Sequence, residues 1–191
     1  MIILASGSPR RKQLLSEAGV TVITEPADID EHPLEHEPPV DYARRMASEK
    51  ARAAAAHHLN ESVFIIAADT SVVLDGVILG KPASQEHAIE MLNNLSGREH
   101  QVLTGVCVLN VRQNLERCFV SETSVFFTHL SQARIMNYIR TGEPMDKAGA
   151  YGIQGRAAGF VSHIEGSYTN VVGLPLCETL AVLEEMGAIA F

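Results

Sequence analysis

The segment Ser6-Gly7-Ser8-Pro9-Arg10-Arg11 near the amino terminus has the residue types of an anion-binding turn. It follows a strand-like run and opens a helical pattern, so backbone N–H groups and the positive end of a helix dipole would face an anion. The Ser8 hydroxyl and the guanidinium groups of Arg10 and Arg11 add donors suited to phosphate oxygens. The segment matches neither the P-loop nor the GxGxxG pattern, and a basic pair on a solvated helix is the competing interpretation.

Asp69 is a carboxylate inside an apolar run. Six apolar residues precede it in the sequence VFIIAADTSVVL, which predicts an interior strand that ends at a turn at Asp75–Gly76. Burying a bare carboxylate is costly unless a cation, a metal or hydrogen-bond donors compensate. We therefore expect a positive group to face Asp69; the alternative is a structural carboxylate that accepts backbone N–H bonds.

Two lysines are candidates for that positive group. Lys50 lies on the apolar stripe of a helix predicted over residues 39 to about 58, where it could snorkel to solvent or point into a cleft. Lys81 has a backbone fixed by its Gly and Pro neighbours. Glu31, in an acidic Pro-rich connector, and Asp69 could share a hard divalent cation while lysines and arginines hold phosphate oxygens, as is typical of phosphoryl chemistry.

A glycine-spaced segment, Gly149 to Gly155, is the fourth candidate. Glycines at three-residue intervals allow close backbone approach, and Gln154 offers both a donor and an acceptor, which reading one edge of a flat base requires. The alternative is a bulged, tightly turned strand.

The composition limits what these groups can bind. The chain has 191 residues, 46% hydrophobic and 20% charged, with a net charge of −8, which disfavours nucleic acid and anionic membranes as partners. A polyanionic ligand needs a local basic cluster, and Arg10, Arg11 and Lys12 are three of the 15 cationic side chains. Apolar runs too short to span a bilayer and an amino terminus without signal-peptide organisation favour the cytoplasm. The cysteines Cys107, Cys118 and Cys177 have no zinc-like spacing and are expected to be apolar fillers.

The patterns predict interleaved strands and helices. A helix is expected from about Pro9, and Ser84 and Ser131 are placed to begin two more. Two long strands meet at a polar turn at Gln113–Asn114, and a final helix follows Pro175. Because adjacent strands also form hairpins, we expect an elongated α/β domain with a mixed sheet. Neither an internal repeat nor a linker divides the sequence, so residues 1–191 are predicted to form one domain.

Several motifs, in order along nearly the whole chain, resemble the Maf family of nucleoside triphosphate pyrophosphatases. They are SGSPRR, SEKARA, AADT, GKP, LSGREHQVLTG, GEPMDKAGAYGIQG and GSYTNVVGLPL. The resemblance implies an ITPase-like fold with two lobes around a central cleft, and a homodimer. It also implies hydrolysis of nucleoside triphosphates to the monophosphate and pyrophosphate with a divalent cation, Mg²⁺ or Mn²⁺.

The resemblance also assigns roles to individual residues. Asp69 matches the catalytic proton acceptor, Arg10, Thr70 and Gln154 match positions of substrate selectivity, and AYGIQG resembles the branch that acts on dTTP and UTP. Together with the candidates above, this gives a substrate site of Ser8, Arg10, Arg11, Lys50, Thr70, Lys81 and Gln154, and a metal site of Glu31 and Asp69. Two alternatives remain: a nucleotide-binding regulator of cell division without turnover, and a pyrophosphatase for modified purines such as 7-methyl-GTP.

Overall fold

The computed structural model describes residues 1–59 and 61–190 of the chain. In chain order the elements are β1 (Ile2–Leu4), α1 (Pro9–Glu17), β2 (Ile23–Thr24), α2 (Pro39–Ala55), β3 (Phe64–Leu74), β4 (Val77–Leu79), α3 (Gln85–Leu95), β5 (Glu99–Asn110), β6 (Leu115–Phe127), α4 (Gln132–Ile139), β7 (Val161–Glu165), α5 (Tyr168–Val172) and α6 (Leu176–Glu185). Three 3-10 helices lie at Glu143–Asp146, Ala148–Ala150 and Arg156–Phe160. None of the helices in the described part of the chain is long and apolar enough to cross a bilayer.

One mixed sheet joins seven strands in the order β2-β1-β3-β5-β6-β7, with β4 paired to β3. β1 runs parallel to β2 and to β3, whereas β3, β5, β6 and β7 pair antiparallel. The predicted mixed α/β fold is therefore confirmed. The predicted helix starts at Ser84 and Ser131 are confirmed, because each accepts a hydrogen bond from the backbone N–H three residues later, and Ser8 caps α1 in the same way.

Helices cover the two faces of the sheet, and β3 divides its side chains between them. Ile66 and Ala68 pack in the cluster that contains Leu15 of α1 and Leu183 of α6. Ile65 and Ala67 belong to the cluster on the other face, beneath α2. Because side chains of a strand alternate between faces, Asp69 follows the α2 face and Thr70 the α1 face.

The helix α2 lies unusually close to β5. A Cβ atom at Gly105 would overlap the backbone carbonyl oxygen of Ala43 in α2, so only glycine permits this contact. Gly105 pairs directly with Asp69 across the β3–β5 ladder. The close contact therefore brings α2, and with it Lys50 two turns further along, against the part of β3 that carries Asp69.

Three local expectations differ from the structure. The strand expected over Val20–Thr24 contains only Ile23–Thr24, and the helix expected to reach His58 ends at Ala55. In the glycine-spaced segment a 3-10 helix with positive φ at Gly149 and Ala150 is followed by a turn at residues 153–155, so the strand alternative for it is wrong. β7 and α5, which the patterns did not indicate, are only five residues each. Such short elements carry too few repeats for periodicity to reveal them.

Replacement of Gly105 by alanine tests the close contact. We expect Gly105→Ala to lower the free energy of unfolding by about 3 kcal/mol, because α2 must move away from β5 to admit the methyl group. Urea denaturation followed by circular dichroism measures the change. The control is Gly80→Ala, where a Cβ meets nothing within 4 Å. Equal stability of the two variants would contradict the close packing of α2.

Candidate active site

The site lies where the edge of β3 has a gap between its two neighbouring strands. On that edge β1 pairs with β3 as far as Ile66, and β4 pairs with it from Val72 onward. A cavity of about 1040 Å³ opens at the five residues in between. The loop after β1, the end of β4 and the glycine-spaced segment complete its walls. All nine predicted site residues line this cavity: Ser8, Arg10, Arg11, Glu31, Lys50, Asp69, Thr70, Lys81 and Gln154.

The loop after β1 forms the start of α1 as its sequence predicts. Ser8 is the N-cap residue, Pro9 is the first helical residue, and the Ser8 hydroxyl accepts from the backbone N–H of Arg11 at 3.5 Å. The Ser8 N–H in turn donates to the hydroxyl of Ser6 at 3.2 Å. The N-terminal end of α1 thus faces the cavity with a loop that its own serines hold in shape.

Arg11 connects three parts of the cavity wall. Its guanidinium donates to the carbonyl oxygen of Gly173 at 2.7 Å, to the Ser6 hydroxyl at 2.8 Å and to the Thr70 hydroxyl at 3.0 Å. Burial lowers the pKa of Arg11, and the nearby Asp69 carboxylate opposes that shift. An arginine remains charged in either case and has five N–H donors, so two remain for a ligand.

Thr70 is held from the α1 side of the sheet. Besides accepting from Arg11, its hydroxyl lies 2.9 Å from the hydroxyl of the buried Thr104 and 3.4 Å from the carbonyl oxygen of Gly173. Thr104 in turn bonds to the carbonyl oxygen of Asn170. This polar chain fixes the orientation of Thr70 at the cavity wall.

Lys50 supplies the positive group that the position of Asp69 calls for. Its ammonium nitrogen lies 2.6 Å from Asp69 Oδ1 and 2.7 Å from Glu31 Oε1. The side chains of Lys50 and Asp69 are only 10% and 13% exposed, whereas that of Glu31 is 54% exposed. Of the two alternatives for Lys50, the structure therefore has the one that points into the cleft.

Tyr42 attaches the connector that carries Glu31. Its hydroxyl donates to the backbone carbonyl oxygen of Glu31 at 2.8 Å, and it lies on the same helix as Lys50. Burial, with smaller contributions from the Asp69 and Glu31 carboxylates, raises the pKa of Tyr42 to about 12. The hydroxyl therefore keeps its proton at neutral pH and remains a donor.

Three predicted residues are free of partners within the described part of the chain. Arg10 and Lys81 form no ion pair there, and the exposed side chain of Gln154 makes no hydrogen bond. They reach the cavity from three separate segments. Their donors and acceptor are consequently available to a ligand, unlike those of Lys50 and most of those of Arg11.

The sequence reasoning missed Glu143 and Lys147, which support the glycine-spaced segment. The Glu143 carboxylate accepts from the Tyr138 hydroxyl at 3.0 Å and from the backbone N–H of Arg156 at 3.3 Å, and it lies so close to Gly155 that a Cβ there would overlap it. Lys147 donates to the carbonyl oxygen of Glu143 and likewise lies against a glycine, Gly152. Gly152 and Gly155 thus leave room for the side chains of Lys147 and Glu143 of the protein itself. The charged residues just before that segment were the available signal.

The chain is similar over almost its whole length to a known protein family and to several named proteins. The chain matches the family described as Maf-like protein over residues 1–186. The chain belongs to the Maf family. A protein of Geobacter sp. (strain M21) named dTTP/UTP pyrophosphatase is 50% identical over 188 residues, which cover 98% of this chain and 96% of that protein.

Other relatives carry the same name. The Shewanella denitrificans protein is 51% identical, covering 96% of this chain and 95% of its own length; the Geobacillus sp. (strain WCH70) protein is 50% identical, covering 97% and 98%. A crystal structure of a nucleoside-triphosphatase / dITP/XTP pyrophosphatase from Mycobacterium abscessus aligns with 68% of this chain and 75% of that one, with a TM-score of 0.41 and 14% identity.

The cavity of this Maf family chain has donors that fit a hard divalent cation. Glu31 and Asp69 direct carboxylate oxygens toward one point from neighbouring walls, where Lys50 now contacts both. Mg²⁺ prefers oxygen ligands and binds through one or two carboxylates together with substrate phosphates. Glu31 and Asp69 supply the two carboxylates, and Arg10 and Lys81 in the same cavity could hold the phosphates that supply the other oxygens.

A double-mutant cycle tests whether Lys50 compensates the Asp69 charge. We expect Lys50→Met to lower the free energy of unfolding by about 3 kcal/mol, since it leaves Asp69 with an uncompensated buried charge. Asp69→Asn in the Lys50→Met background should restore part of that loss. Urea unfolding of the four proteins gives the coupling energy. Strictly additive losses would refute a direct pairing of the two residues.

Proposed function

We propose that this Maf family protein hydrolyses dTTP and UTP to the nucleoside monophosphate and pyrophosphate. The observation that carries the proposal is about 50% identity, over almost the entire chain, to proteins named dTTP/UTP pyrophosphatase. The site geometry supports it, because the residues expected for this chemistry line one cavity.

The triphosphate binds between the start of α1 and the end of β4. A triphosphate carries about four negative charges, which a chain of net charge −8 can hold only through local cations. Arg10 and Lys81, which are free of protein partners in the described structure, and the N–H groups at the start of α1 supply donors. Arg11 shapes this wall through its three protein contacts and offers its two remaining N–H groups.

Asp69 accepts the proton of the attacking water. Its carboxylate is fixed on an interior strand and held by Lys50 through Oδ1. The Lys50 ammonium thus orients the carboxylate that acts as the base. Attack by water on the α-phosphorus releases pyrophosphate, whose developing charge lies toward the cationic wall.

Glu31 and Asp69 would hold a divalent cation together with phosphate oxygens. When bound, that cation neutralises negative charge on the phosphates.

Gln154 is proposed to read the base. It projects from the glycine-spaced segment into the same cavity and has a free amide, so it can donate to and accept from one edge of a pyrimidine. Arg10 and Thr70 are the other two proposed selectivity residues. The homodimer, the cytoplasmic location and the single domain with two lobes remain predictions from the sequence.

Replacement of Asp69 tests the activity. With Mg²⁺ and dTTP or UTP, we expect the unmodified protein to release pyrophosphate rather than orthophosphate. Asp69→Asn should lower kcat by about 10²–10⁴-fold because the general base is lost. Calorimetric binding of a non-hydrolysable α,β-imido analogue of dTTP should persist in the variant. The matched control is Asp75→Asn, at an exposed turn bonded to Arg98.

Three outcomes would refute the proposal. Absence of turnover in the unmodified protein would favour a nucleotide-binding regulator. Faster turnover of 7-methyl-GTP than of dTTP or UTP would favour a purine substrate. Full activity of Asp69→Asn would remove that residue from the mechanism.

Replacement of Gln154 tests base recognition. We expect Gln154→Ala to lower kcat/KM for dTTP and UTP by about 10²-fold, because polar groups of the base then lose their hydrogen-bond partner. The ratio of kcat/KM for dTTP or UTP to that for 7-methyl-GTP should fall as well. Steady-state pyrophosphate release over the nucleotide panel measures both effects. The control is Gln113→Ala in the exposed β5–β6 turn. An equal loss for every nucleotide would assign Gln154 to phosphate or structural contacts instead.

A further inference from the structure

A cluster of two thiols and a carboxylate lies on the β5–β6 ladder. Cys107 of β5 pairs directly with Cys118 of β6, so their side chains leave the same face of the sheet. Glu116 lies two residues before Cys118 and shares that face. Its Oε1 atom lies 3.4 Å from the sulfur of Cys107 and 3.0 Å from that of Cys118. The three potential ligand atoms all lie within 4.8 Å of one another.

Two residues of α2 bind the carboxylate of Glu116, one at each oxygen. Arg52 binds Oε2 through Nε at 3.0 Å and Nη2 at 2.9 Å. This leaves Oε1 directed at the two sulfurs, where the Ser48 hydroxyl also donates to it at 2.5 Å. The carboxylate is thus oriented by a cation on one side while its other oxygen faces the thiols, as a ligand held by outer contacts would be.

We propose that Cys107, Glu116 and Cys118 form a binding site for a thiophilic divalent cation, with Zn²⁺ as the best fit. Two sulfurs and one oxygen are a donor set that suits zinc. Ligands around tetrahedral zinc are separated by about 3.5–3.8 Å, from bond lengths of about 2.3 Å to sulfur and about 2.0 Å to oxygen. The Cys107 sulfur lies 3.4 Å from Glu116 Oε1, close to that value, and the Cys118 sulfur at 3.0 Å needs to move away by about 0.5 Å.

Charge and access also suit a divalent cation. Two thiolates and one carboxylate carry three negative charges, and Zn²⁺ with Arg52 supplies three positive ones. Binding releases the two thiol protons to solvent. Cys107 is buried, but Cys118 is half-buried and the Glu116 side chain is 22% exposed, so an ion can enter from the Cys118 side. Water, or the hydroxyl of Ser48, is available as the fourth ligand.

This site is separate from the proposed active site. None of its three ligands lines the nucleotide cavity among the described residues, and the donors differ in kind. Glu31 and Asp69 offer oxygen only, which selects Mg²⁺ or Mn²⁺. The thiols select softer ions. One protein could therefore bind both classes of cation at different places.

Cobalt spectroscopy on the full chain tests the proposal. The protein, reduced and freed of metal with a chelator that is then removed, is titrated with Co²⁺. We expect a thiolate-to-cobalt absorption in the near ultraviolet that saturates at one ion per chain. One equivalent of Zn²⁺ should abolish the absorption, and excess Mg²⁺ should leave it unchanged.

Matched variants locate the ion. Cys118→Ser and Cys107→Ser should lose the band, and Glu116→Gln should weaken Co²⁺ binding by about tenfold or more. Cys177→Ser, which removes the exposed cysteine of α6, should keep the band, as should Asp69→Asn at the nucleotide cavity. Thermal unfolding checks that each variant is folded. If Cys107→Ser does not fold, the result for Cys118→Ser, at a half-buried position, tests the site.

Two results would overturn the site. One is a reduced, folded protein that shows no thiolate-to-cobalt band on addition of Co²⁺. The other is a band that survives in folded Cys118→Ser or disappears in Cys177→Ser. Either result would leave Cys107 and Cys118 as packing residues that donate to Glu116.

Discussion

The ammonium group of Lys50 lies between the carboxylates of Asp69 and Glu31, and much of the cavity is organised around this contact. An ionised carboxylate on an interior strand requires a compensating charge, and a lysine on the apolar face of a helix requires a polar partner. Each group therefore explains the position of the other. The pairing also requires α2 to lie close to the sheet, which the missing side chain of Gly105 allows. The proposed base Asp69, its compensating cation Lys50 and the candidate metal ligand Glu31 are thus placed by one packing contact.

The cationic side chains of the cavity fall into two groups, according to whether their donors bind protein groups or remain free for a ligand. Lys50 and Arg11 spend most of their donors within the protein, where they hold Asp69 and Thr70 in place. Arg10 and Lys81 remain available to a ligand in the described structure. A polyphosphate would therefore meet a wall whose shape is set before it binds. Such preorganisation stabilises developing charge without reorganisation during the reaction.

Much of this arrangement could be predicted from the sequence, because long elements have clear apolar patterns. The apolar run on both sides of Asp69 predicts β3, and the three- and four-residue spacing around Lys50 predicts α2. Whether Lys50 reaches solvent or Asp69 could not be predicted, since it depends on how closely two distant segments pack. The contact between Gly155 and Glu143 could not be predicted for a similar reason. The glycine spacing indicates a close approach at residue 155, but it does not identify the Glu143 carboxylate as the group that approaches.

The cysteine cluster shows how strongly such contacts depend on register. A two-residue turn at Gln113–Asn114 would place Cys107 opposite Val120. The observed loop spans residues 111–114, pairs Asn110 with Leu115, and so places Cys107 opposite Cys118. A displacement of one turn position thus decides whether two thiols meet. Spacing rules for zinc sites do not detect ligands that are brought together across a ladder.

The gap in the edge of β3 has a consequence for the behaviour of the protein in solution. An unpaired strand edge is a template on which another chain can add a strand and begin to aggregate. Here β1 and β4 cover the edge on either side, so only five residues separate their pairings. A stretch of that length, enclosed within a cavity, leaves little room for a foreign strand. The fold can therefore keep an open backbone edge for a small ligand without exposing that edge to other proteins.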